Sequence, residues 1–147
     1  MINTKIYKAV YELAEKLMKA AAKDDRATFE SLYSELQAIC TEHEGTDKDH
    51  PEQWETLADF TEELEEALPI YQKALDKAIA KPSKDHIASI GFSMATLQVE
   101  LGKTDDAIKN LQYAQASAQG IEDNDLKAEI DELLAKLTTG QEPHFDQ

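Results

Sequence analysis

The sequence predicts an all-α chain of antiparallel helical hairpins, and three observations carry that expectation. Apolar residues recur at steps of three and four through most of the chain, the period of a helix with one buried face. One packing phrase occurs twice, as Ala67, Tyr71 and Ala74 and again as Ala107, Leu111 and Ala114. Small, large and small residues at that spacing share a helix face, and the small ones let a second helix approach closely. The periodic stretches are separated by short breaks of capping residues and glycine, the connections of helical hairpins. A length of 147 residues fits one domain with a real core.

The first helix is predicted over 4–23. Ile6, Val10, Leu13, Leu17 and Ala20 or Ala21 form its stripe, which Tyr7, Tyr11 and Met18 widen. Lys23-Asp24-Asp25 interrupts the pattern, and Asp24 or Asp25 can cap the next helix by accepting from its free N–H groups. That helix runs to about Glu44, with Phe29, Leu32, Tyr33, Leu36, Ile39 and Cys40 inward, so 4–44 is a hairpin. Gly45 to His50 is the clearest linker. Gly45 can end a helix at positive φ, and Pro51 suits the first turn of the next.

Residues 51–80 allow two readings. Trp54, Leu57, Thr61, Leu64, Leu68, Tyr71, Leu75 and Ala78 make an unbroken heptad stripe, which argues for one long helix. Pro69 argues against it, because an interior proline removes a hydrogen bond and clashes with the preceding turn. Proline costs little in a first turn, so a second helix starting near Glu65 or Glu66 would suit it, although no turn residue marks 59–67. A hairpin with a very tight turn is preferred to a kinked helix.

Lys81-Pro82-Ser83 closes that element, and Ser83 or Asp85 caps a helix inward at Ile87, Ile90, Met94, Leu97 and Leu101. Gly102 ends it, Thr104 is expected as the next N-cap, and Asp105 and Asp106 favour the positive end of the helix dipole. The second hairpin therefore spans 84–119, with Gly120 after it. A helix over 124–138 has Leu126, Ile130, Leu133, Leu134 and Leu137 inward and Glu129, Asp131, Glu132 and Lys136 outward. Such a polar outer face suits a cap on the end of an array. The tail from 139 to 147 is expected to be disordered.

Lys and Arg total 15 against 30 Asp and Glu, a net charge of −15. That disfavours binding to nucleic acid or to an anionic membrane, since phosphate contacts need a basic surface, and it suits a basic partner. No stretch has the apolar length of a membrane span, and the start shows no apolar signal core. Cys40 is the single cysteine, so no internal disulfide forms, which fits a reducing, cytoplasmic setting.

His43, Glu44, Asp47, Asp49 and His50 are potential metal ligands close in sequence. They lie in a linker without the HExxH spacing or a cysteine pair, so helix caps in a solvated loop are the expectation, with no metal and no cofactor. Cys40 falls on an apolar stripe, which points to burial rather than nucleophilicity. No catalytic triad or glycine-rich phosphate loop occurs, and no enzyme is expected. From Glu52 to Glu66 the chain holds Glu52, Glu55, Asp59, Glu62, Glu63, Glu65 and Glu66 without a single Lys or Arg. That is either a solvated face or the acidic wall of a groove.

The motifs together resemble the tetratricopeptide family. Trp54-x-x-Leu57-Ala58 followed by Ala67-x-x-x-Tyr71-x-x-Ala74-Leu75 is similar to one repeat. Met94-Ala95, Gly102, Ala107, Leu111 and Ala114 are similar to the next. Asp49-His50-Pro51 and Ala67-Leu68-Pro69-Ile70-Tyr71 resemble the long-spaced repeats of the kinesin light chain type, and Asp85-His86 echoes Asp49-His50. The likeness covers about 47–119, and the 4–44 hairpin matches in outline, with Ala14 and Ala27 at small positions.

The resemblance implies hairpins stacked in a short right-handed superhelix whose first helices line a concave surface. Carried over by position, that surface holds Tyr11, Glu15 and Met18, then Glu52, Glu55 and Asp59, then Phe92, Thr96 and Val99. The Lys/Asn set by which some members grip a C-terminal carboxylate is absent from this strip. An acidic centre with aromatic flanks suits a basic or amphipathic peptide or helix, which makes the chain a non-catalytic adaptor for another protein. Two other readings are an acidic decoy that occupies a nucleic-acid-binding protein and, less favoured, an enzyme. The connection from Asp49 to Ala67 is four residues shorter than that from Asp85 to Ala107. If the chain cannot turn there, 51–80 becomes one helix and a homodimer through it is expected.

Overall fold

The computed structural model describes residues 4–139. The chain is all-α: among the described residues there are seven helices and no strand. They are α1 (Thr4–Ala22), α2 (Arg26–His43), α3 (Pro51–Asp59), α4 (Leu64–Ala80), α5 (Lys84–Glu100), α6 (Thr104–Ala118) and α7 (Asn124–Thr138). None of them is long and apolar enough to cross a membrane. The chain divides into two compact units, with the division inside α4 after Lys77.

In the first unit α1 packs on α2, and α3 packs on both. The expected stripes are buried: Ile6, Val10, Leu13, Leu17 and Ala20 on α1, and Phe29, Leu32, Leu36 and Cys40 on α2. Tyr33 and Ile39 are half-buried. Tyr7, Tyr11 and Met18 do not widen the α1 core but stand exposed beside it, because the apolar width that α2 and α3 cover is already filled. Ala27, expected at a packing position, is also exposed. The Asp25 carboxylate caps α2 by accepting from the Thr28 N–H at 3.3 Å. Gly45 turns at φ 81°, a backbone state that side chains disfavour. Pro51 opens α3, and the His50 imidazole accepts from the Glu52 N–H at 3.1 Å.

Residues 51–80 form a hairpin. The Thr61 N–H donates to the Ala58 carbonyl at 3.0 Å as α3 ends, and the Ala67 N–H donates to the Glu63 carbonyl at 2.9 Å as α4 starts. Asp59 meets Tyr71, Trp54 meets Lys73, and Asp49 meets Lys77, so α3 and its leading loop run antiparallel to α4. The steric argument for an exchanged dimer, that this segment cannot turn, does not hold. The turn needs no glycine because Thr61 supplies its own brace. Its hydroxyl reaches back to the Leu57 carbonyl at 2.8 Å and pairs with the Tyr33 hydroxyl at 2.6 Å. Helix α4 begins at Leu64, slightly ahead of the expected start, so Pro69 sits inside the helix beyond its first turn. Pro69 and Glu65 are both exposed, which lets water reach the Glu65 carbonyl that lacks an N–H donor there.

In the second unit α5 packs on α6, and α7 packs on both. Its core gathers Ala88 and Ala95 of α5, Ala107, Leu111, Ala114 and Ala118 of α6, then Ile121, and Ile130 and Leu134 of α7. Gly91 is what lets α5 approach so closely: a Cβ there would lie 3.1 Å from the Ala114 Cβ. The Asn110 side-chain amide donates to the Gln98 side-chain Oε1 at 2.7 Å and pairs the polar groups between these helices. Gly102 has φ 78°. Lys103 rather than Thr104 is the N-cap of α6, and it makes no side-chain capping bond. Asp123 caps α7 through the Leu126 N–H at 3.0 Å. Glu129, Asp131, Glu132 and Lys136 face solvent as expected. The expected tail lies, beyond Thr139, outside the described residues.

Candidate functional site

The exposed edge of α1 and the neighbouring face of α3 form the candidate site. Tyr7, Tyr11, Glu15 and Met18 recur at helical spacing along α1, all exposed, with Tyr11 and Met18 each at 56%. The rings of Tyr7 and Tyr11 lie 6.4 Å apart, centre to centre, tilted by 43°. Across from them stand Glu52 and Thr56 of α3. With Val10 and Ala14 these residues line a shallow cleft of about 80 Å³. The lining includes one carboxylate and no cation.

Glu52 occupies the first turn of α3, where its charge complements the helix dipole. Glu55 is half-buried one turn on. Asp59 ends the helix, and its carboxylate accepts a short hydrogen bond from the Tyr71 hydroxyl. Desolvation pushes Asp59 up to about 6; the Tyr71 hydroxyl opposes the rise and Glu55 adds to it. Asp59 as a whole residue is exposed, so only the carboxylate held against Tyr71 is crowded, and solvent limits how much stability rides on it.

Tyr11 and Glu52 are thus brought together in one cleft, whose lining does not include the other expected residues. Glu15 and Met18 are exposed on α1, Glu55 is half-buried on α3, and the Asp59 carboxylate is turned to Tyr71 of α4. Phe92, Thr96 and Val99 belong to α5 in the other unit. There Phe92 and Val99 pack half-buried against the core, and the Thr96 hydroxyl donates to the Phe92 carbonyl at 3.0 Å. The sequence reading missed Tyr7, whose signal was its place four residues before Tyr11, beside the stripe rather than on it. It also missed Thr56, for which no sequence signal stood out.

The linker carboxylates and His50 have structural work. Asp49 accepts from the Trp54 indole N–H at 2.8 Å, the Gly45 N–H at 2.9 Å and Lys77 at 2.6 Å. Burial alone would raise its pKa, but these donors outweigh burial and hold it below the usual carboxylate value. Lys73 and Lys77 lie 4.6 and 5.3 Å from the centre of the Trp54 ring, and Lys73 pairs with Glu44 at 2.8 Å. Cys40 is buried, and its S–H donates to the Gln53 carbonyl at 3.3 Å. Burial, helped by Asp49 and Glu44, pushes its thiol up to about 12, which leaves almost no thiolate at neutral pH.

No family model, no curated protein and no solved structure matches the chain.

Proposed function

We propose that the chain is a non-catalytic, tetratricopeptide-like interaction module that binds a basic or amphipathic segment of another protein in the groove between α1 and α3. The observation that carries this reading is the exposed Tyr7–Tyr11 pair facing Glu52 across a cleft with no cation in its lining. Tyrosine offers a large, rigid, amphipathic contact at low entropic cost, and its ring face attracts cations. Glu15 and Glu55 extend the negative charge beside the rings, so an amphipathic helix can set apolar side chains on the tyrosines and lysines or arginines on the acids.

A fluorescein-labelled amphipathic Leu/Lys helix, titrated at several salt concentrations, tests it. Tyr11→Ala combined with Glu52→Gln is expected to weaken binding about ten-fold, the loss of one good anchor. Glu35→Lys, an exposed site on α2, is expected to change it little. Equal losses from both would show that total charge alone attracts the peptide, and would sink the groove.

A further inference from the structure

A second cleft in the first unit, of about 320 Å³, lies between α2 and the α3–α4 turn. Its floor is aromatic: Phe29 is buried, and Phe60 meets it edge-on with ring centres 6.4 Å apart. Glu30, Glu62, Glu63 and Glu66 stand around it, and Arg26 is the one cation in the lining. Arg26 already shows what the cleft holds. Its guanidinium lies 4.9 Å from the centre of the Phe29 ring. It also donates to both oxygens of Glu62, at 2.9 and 2.5 Å.

That stacked, two-pronged geometry suits a planar guanidinium and does not suit an ammonium, which has no flat fork. Arg26 is nevertheless poorly placed to keep the seat. It is the first residue of α2, where the helix dipole disfavours a cation, and both partners of the ion pair are about half exposed. When it swings into water, the cleft presents an aromatic floor and four carboxylates with no positive charge among them.

We propose that this cleft is a recognition subsite for an arginine side chain of a protein partner, and that Arg26 is the internal occupant which the partner's arginine displaces. The occupant is an arginine within a polypeptide rather than the free amino acid. The lining has no cation besides Arg26 to hold a free α-carboxylate, whose repulsion by the acids offsets their attraction for the α-ammonium. The subsite uses none of the groove residues of α1, so Tyr11→Ala leaves it intact and the two readings fail separately.

The experiment titrates N-acetylarginine amide, N-acetyllysine amide and free L-arginine into the full chain and follows the amide resonances of residues 29–34 and 60–62. Removing the internal competitor by Arg26→Ala is expected to make N-acetylarginine amide bind about five-fold tighter than in the parent. The lysine amide and free arginine are expected to bind more weakly, and adding Glu62→Gln to Arg26→Ala is expected to abolish saturation. If Arg26→Ala loses helicity, Arg26→Lys, which keeps the charge without the fork, replaces it with the same expectation. No saturable shift without Arg26, equal binding of the two amides, or insensitivity to Glu62→Gln would each overturn the proposal. Tighter binding of free arginine would also overturn it, in favour of an amino-acid site.

Discussion

Ala67, Tyr71 and Ala74 on α4 and Ala107, Leu111 and Ala114 on α6 place the same phrase in two hairpins, yet the hairpins are held in different ways. In the second, α5 has 17 residues and presents Ala88, Gly91 and Ala95. Its backbone comes so near α6 that a Cβ at Gly91 would press on the Ala114 Cβ at 3.1 Å, and Leu111 is wholly buried. In the first, α3 has 9 residues, too few for a long seam. Polar clamps at its two ends do what length does in the other: Asp49 with Trp54 and Lys77 at the start, and Asp59 with Tyr71 at the finish. Where leucine fills the large position of α6, tyrosine fills that of α4, and its hydroxyl is what reaches Asp59. A short helix keeps its register through directional bonds, whereas a long one can rely on close packing.

Gly91→Leu is the sharpest way to break the packed hairpin. A Cβ at Gly91 already presses on the Ala114 Cβ, and leucine adds three more carbons, so a loss of roughly 2–3 kcal/mol is expected. Denaturant unfolding, with hydrogen exchange of the α5 and α6 amides, measures it. A loss near zero would mean that the close approach is not what holds α5 to α6.

Asp49→Ala tests the clamped hairpin. It strips a partner from the Trp54 indole, the Gly45 N–H and Lys77 together, and a cost of about 2 kcal/mol is expected. The pH signature has a definite sign. A carboxylate held below its unfolded value contributes stability that is present above about pH 4 and lost as pH falls through the lowered folded value. The parent should therefore lose its advantage over Asp49→Ala on acidification, and a gap that stays constant down to pH 2 would contradict the clamp.

The smallest effect is expected at the other end of α3, with the opposite sign. Asp59 is raised to about 6, so its folded form takes up a proton that the unfolded chain does not hold at that pH. Its contribution is most favourable below the unfolded value of about 4 and is lost as pH rises through 6. Asp59→Asn, whose amide oxygen can still accept from Tyr71, should flatten the slope of stability between pH 4 and pH 7. An unchanged slope would show that the Asp59 carboxylate is solvated like any other.

The helix inventory was set by interactions within a few residues of each position, and the sequence alone carried it. Period, caps and glycines placed the breaks at Asp25, Gly45 with Pro51, Ser83 and Gly102, because such signals act within one turn. Asp25 caps through its side chain, whereas Ser83 holds the N-cap position without a side-chain capping bond. The turn at 60–63 lacks a marker residue, and the ground for preferring it, a proline in a first turn, does not hold, because Pro69 lies inside α4. What the sequence left open is what chain closure decides. By spacing Tyr7 and Tyr11 widen the core stripe, and the resemblance alone puts Tyr11 on a groove. Both stand exposed over a cleft because α2 and α3 leave that edge of α1 uncovered. The role of Gly91 has no local signal, because it depends on Ala114 of α6 lying against it. Arg26 and Glu62 are 36 residues apart and are joined only when α2 meets the α3–α4 turn. Asp49, one acid in a run of ligand-like residues, became the hub of a clamp once α4 folded back and brought Lys77 to it, since a charge pair over such a separation has no local signature.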